Sequence, residues 1–126
     1  HYGAAERAAF GALVERLRSG DFDDDDAPAR IHGDLWSGNL LWTSNGAVLI
    51  DSAAYAGHRE DDLAALALFG APYFDDIVAG YESVHRLEPG WQRRVRLHQL
   101  HLLLLHAVLF GGGYAGQALE AARQYT

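Results

Sequence analysis

Residues His32–Asn39 read HGDLWSGN, which puts an imidazole, a carboxylate, an indole, a hydroxyl, an amide and two glycines in one short run. Such a run suits neither helix nor strand and reads as a loop that displays polar groups. A second acid, Asp51, follows two short apolar stretches. Asp34, Asn39 and Asp51 together offer hard oxygen donors of the kind Mg²⁺ takes, one or two carboxylates with phosphate oxygens and water completing the shell. Asp34, nearest the start of the loop, is then left to accept a proton from a hydroxyl nucleophile. Asp and Asn are also ordinary turn residues, so no single one of them is specific. The whole set is: H-x-D-x(4)-N, a hairpin, then D, the order of parts that kinases use.

A β-hairpin has to bring these residues together. Leu40–Thr43 and Ala47–Ile50 are apolar runs on either side of Ser44-Asn45-Gly46, and Asn-Gly between such runs is a strong hairpin signal. With Asn45-Gly46 as the loop, the predicted register pairs Leu41 with Ile50 and sets Leu40 opposite Asp51, with Asn39 diagonal to Asp51. Arg30-Ile31 reads as a short strand leading into the loop.

The rest reads as helix. Ala4–Arg18 carries Phe10, Leu13, Val14 and Leu17 at helical spacing. Asp61–Phe69 starts with acids, which the helix dipole favours. Tyr73–Val84 places Phe74, Ile77, Val78 and Tyr81 on one side. Trp91–Phe110 is apolar nearly all round in its second half, the pattern of a buried central helix. Gly111-Gly112-Gly113 reads as a helix stop, and Ala115–Gln124 as a last short helix.

Composition narrows the chemistry. The 126 residues have a formal net charge of −7, which disfavours nucleic acid as a partner. No cysteine is present, so thiolate chemistry and disulfides are excluded. All ten basic residues are arginine; without lysine there is no Schiff base and no lysine to grip a nucleotide phosphate. No apolar run is long enough to span a bilayer and no signal peptide opens the chain, so a cytoplasmic location is expected. The first residue is His1, which suggests a piece of a longer protein or a processed chain. The acidic run Asp21–Asp26 fails as a calcium loop, since its sixth position is Asp26 in place of Gly and its twelfth is His32 in place of Glu. It reads as a charged linker. His98 and His101 lie one turn apart, but no further ligand completes a zinc set.

HGDLWSGNLLW, VLIDSAAYAGHREDDLAALALFG, EPGW and HQLHLLLLHAVLFGGGY resemble the fructosamine (ketosamine) kinase family, over about Arg30 to Gln117. The Trp of HGDLWSGN and the tract YAGHRE separate it from its aminoglycoside-phosphotransferase relatives. The resemblance implies a mainly α lobe with a small β-hairpin, the C-terminal lobe of the protein-kinase-like fold. Residues 1–126 would form one lobe, carrying a catalytic loop at 32–39 and a metal-binding hairpin at 40–51. The implied reaction is ATP-dependent phosphorylation of a sugar hydroxyl of ketosamines, fructosamines or ribulosamines, a deglycation chemistry. Asp34 would be the base, Asn39 and Asp51 the Mg²⁺ ligands, and Asp62 a brace for the catalytic loop through its backbone amides.

His32 reads as a second loop support. Trp36, Tyr55 and Trp91 could wall a sugar pocket or pack on the core. Ser52 stands where the family usually has Pro. The nucleotide lobe, with its glycine-rich loop and strand lysine, has no counterpart here, so the isolated chain is expected to be inactive. A kinase for an aminoglycoside or choline, and a catalytically silent binding module, are the rival readings.

Overall fold

The computed structural model describes residues 2–126. The described chain divides into two compact units, one of residues 2–26 with 100–126 and one of residues 27–99.

In the first unit, helix α1 (Ala4–Arg18) begins where the Glu6 carboxylate reaches back to the Gly3 amide at 2.5 Å. That bond satisfies one of the donors a helix start leaves open. Helix α5 (Tyr114–Arg123) buries Ala118, Ala121 and Ala122. Their small side chains let its backbone lie close to α1, and Tyr2 joins the two by donating from its hydroxyl to Ala115 O at 2.8 Å. Helix α4 (Trp91–Phe110) runs its second half through this unit. The expected burial of that half is corrected. Leu103 is fully enclosed, yet Leu105, Val108, Leu109 and Phe110 are exposed, Val108 at 83%. The hydropathy of this half states a preference for burial that the fold meets at Leu103 alone among these residues. Gly111 and Gly112 end α4 with φ of 64° and 61°, a conformation glycine adopts without strain.

The second unit carries two small antiparallel sheets. Strand β1 (Ala29–Ile31) pairs with β4 (Tyr55–Gly57), Arg30 facing Ala56. Strands β2 (Leu40–Thr43) and β3 (Gly46–Leu49) form the hairpin. Its register departs from the expected one: Thr43 pairs with Gly46 and Leu40 with Leu49, so the turn is Ser44-Asn45. The cause is the Thr43 hydroxyl, which donates to Gly46 O at 2.7 Å and accepts from the Asn45 amide at 3.2 Å. It closes the chain one residue earlier than the Asn-Gly rule would. Asn39 therefore lies opposite Ile50, whose amide donates to Asn39 O at 3.0 Å.

Helix α2 (Glu60–Phe69) starts one residue before its expected position, and α3 (Phe74–Val84) one residue after. Tyr73, in the left-handed region at φ 60°, precedes α3. The core of this unit is Leu35, Leu40 and Leu66, with Phe74 and Ile77 of α3 packed against it. Leu66 is 1% exposed. Leu66→Ala removes buried methyl groups and leaves a cavity, so it is expected to cost about 2–5 kcal/mol, read as a lowered midpoint in urea denaturation.

Candidate active site

The loop of residues 32–39 leaves β1 at Ile31 and turns at once. Gly33 permits the turn with φ 86°, and a Cβ there would run into the carbonyl oxygen of Ala53. The loop is held from below by the Asp62 carboxylate on α2. Its Oδ2 accepts the His32 amide at 2.8 Å and its Oδ1 the Gly33 amide at 3.1 Å. The His32 ring joins two segments. Nε2 donates to Ile50 O at 2.7 Å, and Nδ1 accepts the Asp34 amide at 3.2 Å. One imidazole thus ties the residue before Asp51 to the backbone of Asp34.

Asn39 sits in a short 3₁₀ turn, Ser37–Asn39, and is 6% exposed. Its amide nitrogen donates to Asp34 O at 2.9 Å and to Asp34 Oδ2 at 3.3 Å. Those bonds orient the side chain and leave Oδ1 as an acceptor with no protein partner among the described residues. Asp34 itself is exposed, with its carboxylate at the surface. Asp51 follows β3 with φ 52°, strained for a residue with a side chain. It lines a cavity of about 410 Å³ with His32, Ile50, Ser52 and Asp62. Neither Asp34 nor Asn39 lines that cavity. Asp34 and Asn39 are joined directly, and His32 links Asp34 to the chain carrying Asp51.

Two of the three aromatic candidates lie beside this loop. Trp36, half exposed, covers Gly38 so closely that a Cβ on Gly38 would fall within the indole. The Tyr55 ring stands next to Gly33 and Gly57 and is also half exposed. Burial first, then the negative charges of Asp61 and Asp62, raise the Tyr55 phenol above its ordinary 10.0. Trp91 opens α4 and makes no hydrogen bond or ring contact with the loop among the described residues. His98 bonds to Asp61, His101 is exposed, and His106 Nδ1 meets Leu102 O at 2.8 Å.

Several supports escaped the sequence reading: the turn at Gly33, the Ile50 carbonyl as partner of His32, and the partners of Glu60 and Asp61 on α4. A glycine beside a candidate base was a usable signal for the first. The others are contacts between distant residues with no local signature.

The loop of residues 32–39, the hairpin and the bracing helix are arranged as in the C-terminal lobe of the protein-kinase-like fold. The sequence model of the fructosamine kinase family matches residues 3–126, and the chain belongs to that family. It is 37% identical over 137 residues to a Synechocystis protein named "Probable ketoamine kinase", covering 96% of this chain and 46% of that one. It is 38% identical over 99 residues to the mouse ketosamine-3-kinase, covering 79% of this chain and 32% of that protein. The crystal structure of a protein described as "putative fructosamine-3-kinase" from Thermobifida fusca YX-ER1 superposes with a TM-score of 0.89 at 46% identity. It covers 98% of this chain, which in turn spans 43% of that one. The chain therefore spans less than half the length of these relatives.

Gly33→Ala is expected to destabilise the chain by about 1–3 kcal/mol through its positive φ, with the clash at Ala53 adding to this, as measured by urea denaturation. Tyr55 gives a pH prediction. Its folded state prefers the neutral phenol, so it has no effect below the unfolded value. Stability is lost as pH rises through the raised folded value, because the unfolded chain ionises first. Tyr55→Phe should remove one late phenolate component from an ultraviolet titration and flatten the alkaline loss of stability.

Proposed function

We propose that this chain is the catalytic lobe of an ATP-dependent kinase that phosphorylates a sugar hydroxyl of ketosamines, of the fructosamine or ribulosamine type. The observation that carries the reading is the Asp34–Asn39 pair. The Asn39 amide is fixed on Asp34, leaving one amide oxygen for a cation and one surface carboxylate for a proton. Family membership supports the same reading.

In this reading Asp34 accepts the proton of the attacking sugar hydroxyl as its oxygen bonds to the γ-phosphorus of ATP. The bond from that phosphorus to the bridging oxygen breaks, and ADP leaves with its electron pair. Asn39 Oδ1 and the Asp51 carboxylate would hold Mg²⁺, which when bound offsets phosphate charge. Asp62 and His32 keep the loop in place through their bonds to its backbone. Trp36 and Tyr55, both half exposed beside the loop, offer flat apolar faces to the C–H side of a sugar; Trp91 is the third candidate for that pocket.

The nucleotide lobe belongs, in this proposal, to the part of the parent protein outside these 126 residues. No lysine is present here to contact the phosphates. The hairpin exposes Leu41, Trp42, Val48 and Leu49, an apolar surface suited to covering by that lobe. Without it the γ-phosphate is not positioned, and the isolated chain does not turn over.

The test is ATP consumption by the full-length parent against a panel of ketosamines, free sugars and aminoglycosides. Phosphorylation of ketosamines above the other classes is expected. Asp34→Asn in that protein should lower kcat by about 10²–10⁴-fold with an unchanged denaturation midpoint. Turnover at the wild-type rate would remove Asp34 from the role of base.

A further inference from the structure

Three consecutive acids open α2, and His98 stands between the first two, its Nε2 3.7 Å from Glu60 Oε1. The Glu60 carboxylate, 2% exposed, accepts Arg94 Nε on Oε1 at 3.0 Å and Arg94 Nη2 on Oε2 at 2.9 Å. Asp61 Oδ1 meets His98 Nδ1 at 2.5 Å. Asp62 holds the amides of His32 and Gly33. Arg94 also donates to Pro89 O at 3.2 Å and Glu88 O at 3.3 Å, which anchors its guanidinium to the chain ahead of α4. The first turn of α2 is thus fastened to α4 by its first two acids and to the catalytic loop by its third.

The same cluster has the look of a metal site. Ligand atoms of His58, Glu60 and His98 lie within 4.8 Å of one another. Two contacts argue otherwise. Arg94 engages both Glu60 oxygens in a bidentate pair. His58 Nδ1 accepts the Glu60 amide at 3.1 Å, which puts the ring proton on Nε2 and closes that nitrogen to a cation. The arrangement is complete as a clamp.

We infer that Arg94 and His98 are positioning residues for the catalytic loop. Adjacent residues on one helical turn move as a body, so a shift of Glu60 and Asp61 carries Asp62 with it. The Asp62 bonds sit at ordinary hydrogen-bond length and weaken steeply with misalignment, and those bonds set the backbone that leads to Asp34. The link to turnover rests on the proposed role of Asp34; the link to the loop backbone does not.

The experiment therefore has two arms. In the 126-residue chain, amide hydrogen exchange is followed by NMR at His32 and Gly33, with the amides of the β2–β3 ladder as controls. His98→Phe removes the bond to Asp61, Asp61→Ala removes it from the other side, and His98→Asn keeps a donor near the Nδ1 position. Exchange at His32 and Gly33 is expected to rise at least tenfold in the first two variants, with the ladder unchanged, and to return toward wild type in the third. Unchanged exchange at both amides in a folded variant overturns the inference, as does a uniform rise at every amide. In the full-length parent the expected result is a fall in kcat at nearly constant KM, recovered by His98→Asn. A parent with no kinase activity at all would defeat the proposed function while leaving the exchange arm to decide the clamp.

Discussion

The Asp62 carboxylate, bonded through its two oxygens to two successive loop amides, is the interaction on which the rest of the site depends. A loop containing glycine at φ 86° has many conformations open to it and little local reason to choose one. Hydrogen bonds from two neighbouring N–H groups to one carboxylate choose for it, because both are satisfied in only one arrangement of the turn. Charge on the acceptor strengthens them beyond a neutral pair. Everything downstream, from the His32 ring to the Asn39 amide, is bonded to the backbone that this carboxylate fixes.

The support extends in both directions along the chain. Towards the hairpin, Asn39 O receives the Ile50 amide, and His32 O receives the Ala53 amide at 2.8 Å. These bonds set the course of the chain on both sides of Asp51. Towards the core, α2 buries Leu63, Ala64, Ala65 and Leu66, so the brace stands on the best-packed helix of its unit. Gln99, also buried, donates to Ala64 O at 3.0 Å and adds a third tie between α2 and α4, beside those of Glu60 and Asp61. A buried amide with a buried carbonyl partner meets the usual requirement for polar groups in a core.

The legible parts of the sequence were those whose signal is local. Leu13 at helical spacing, the acids at the start of α2 and the glycines after Phe110 all placed their elements within a residue or so. Asp34, Asn39 and Asp51 stood out as a candidate set by their spacing, although single turn residues are common, and of that set the structure bonds Asn39 directly to Asp34. The hairpin existed where Asn-Gly put it, but its register followed a threonine hydroxyl that no dipeptide rule weighs. Strand β4 has three residues and takes its identity from pairing with β1, so Tyr55–Gly57 had no signature of its own. The acids Glu60 and Asp61 read as helix-dipole residues, whereas their partners Arg94 and His98 are brought near only by the fold. The apolar end of α4 read as buried, since hydropathy reports a preference and not the presence of a neighbour.

The His32 ring carries a consequence for what can replace it. Its two nitrogens do opposite work, one giving a proton to the Ile50 carbonyl and the other taking one from the Asp34 amide. Only the tautomer with hydrogen on Nε2 serves both. Phenylalanine approaches its bulk but carries neither donor nor acceptor, and tyrosine has a single hydroxyl oxygen to serve both sides. The position selects for directionality more than for bulk or charge. Between the two chain segments that carry the proposed base and the proposed metal acid, this five-membered ring is thus the directional link that the backbone bonds of Ile50 and Ala53 flank.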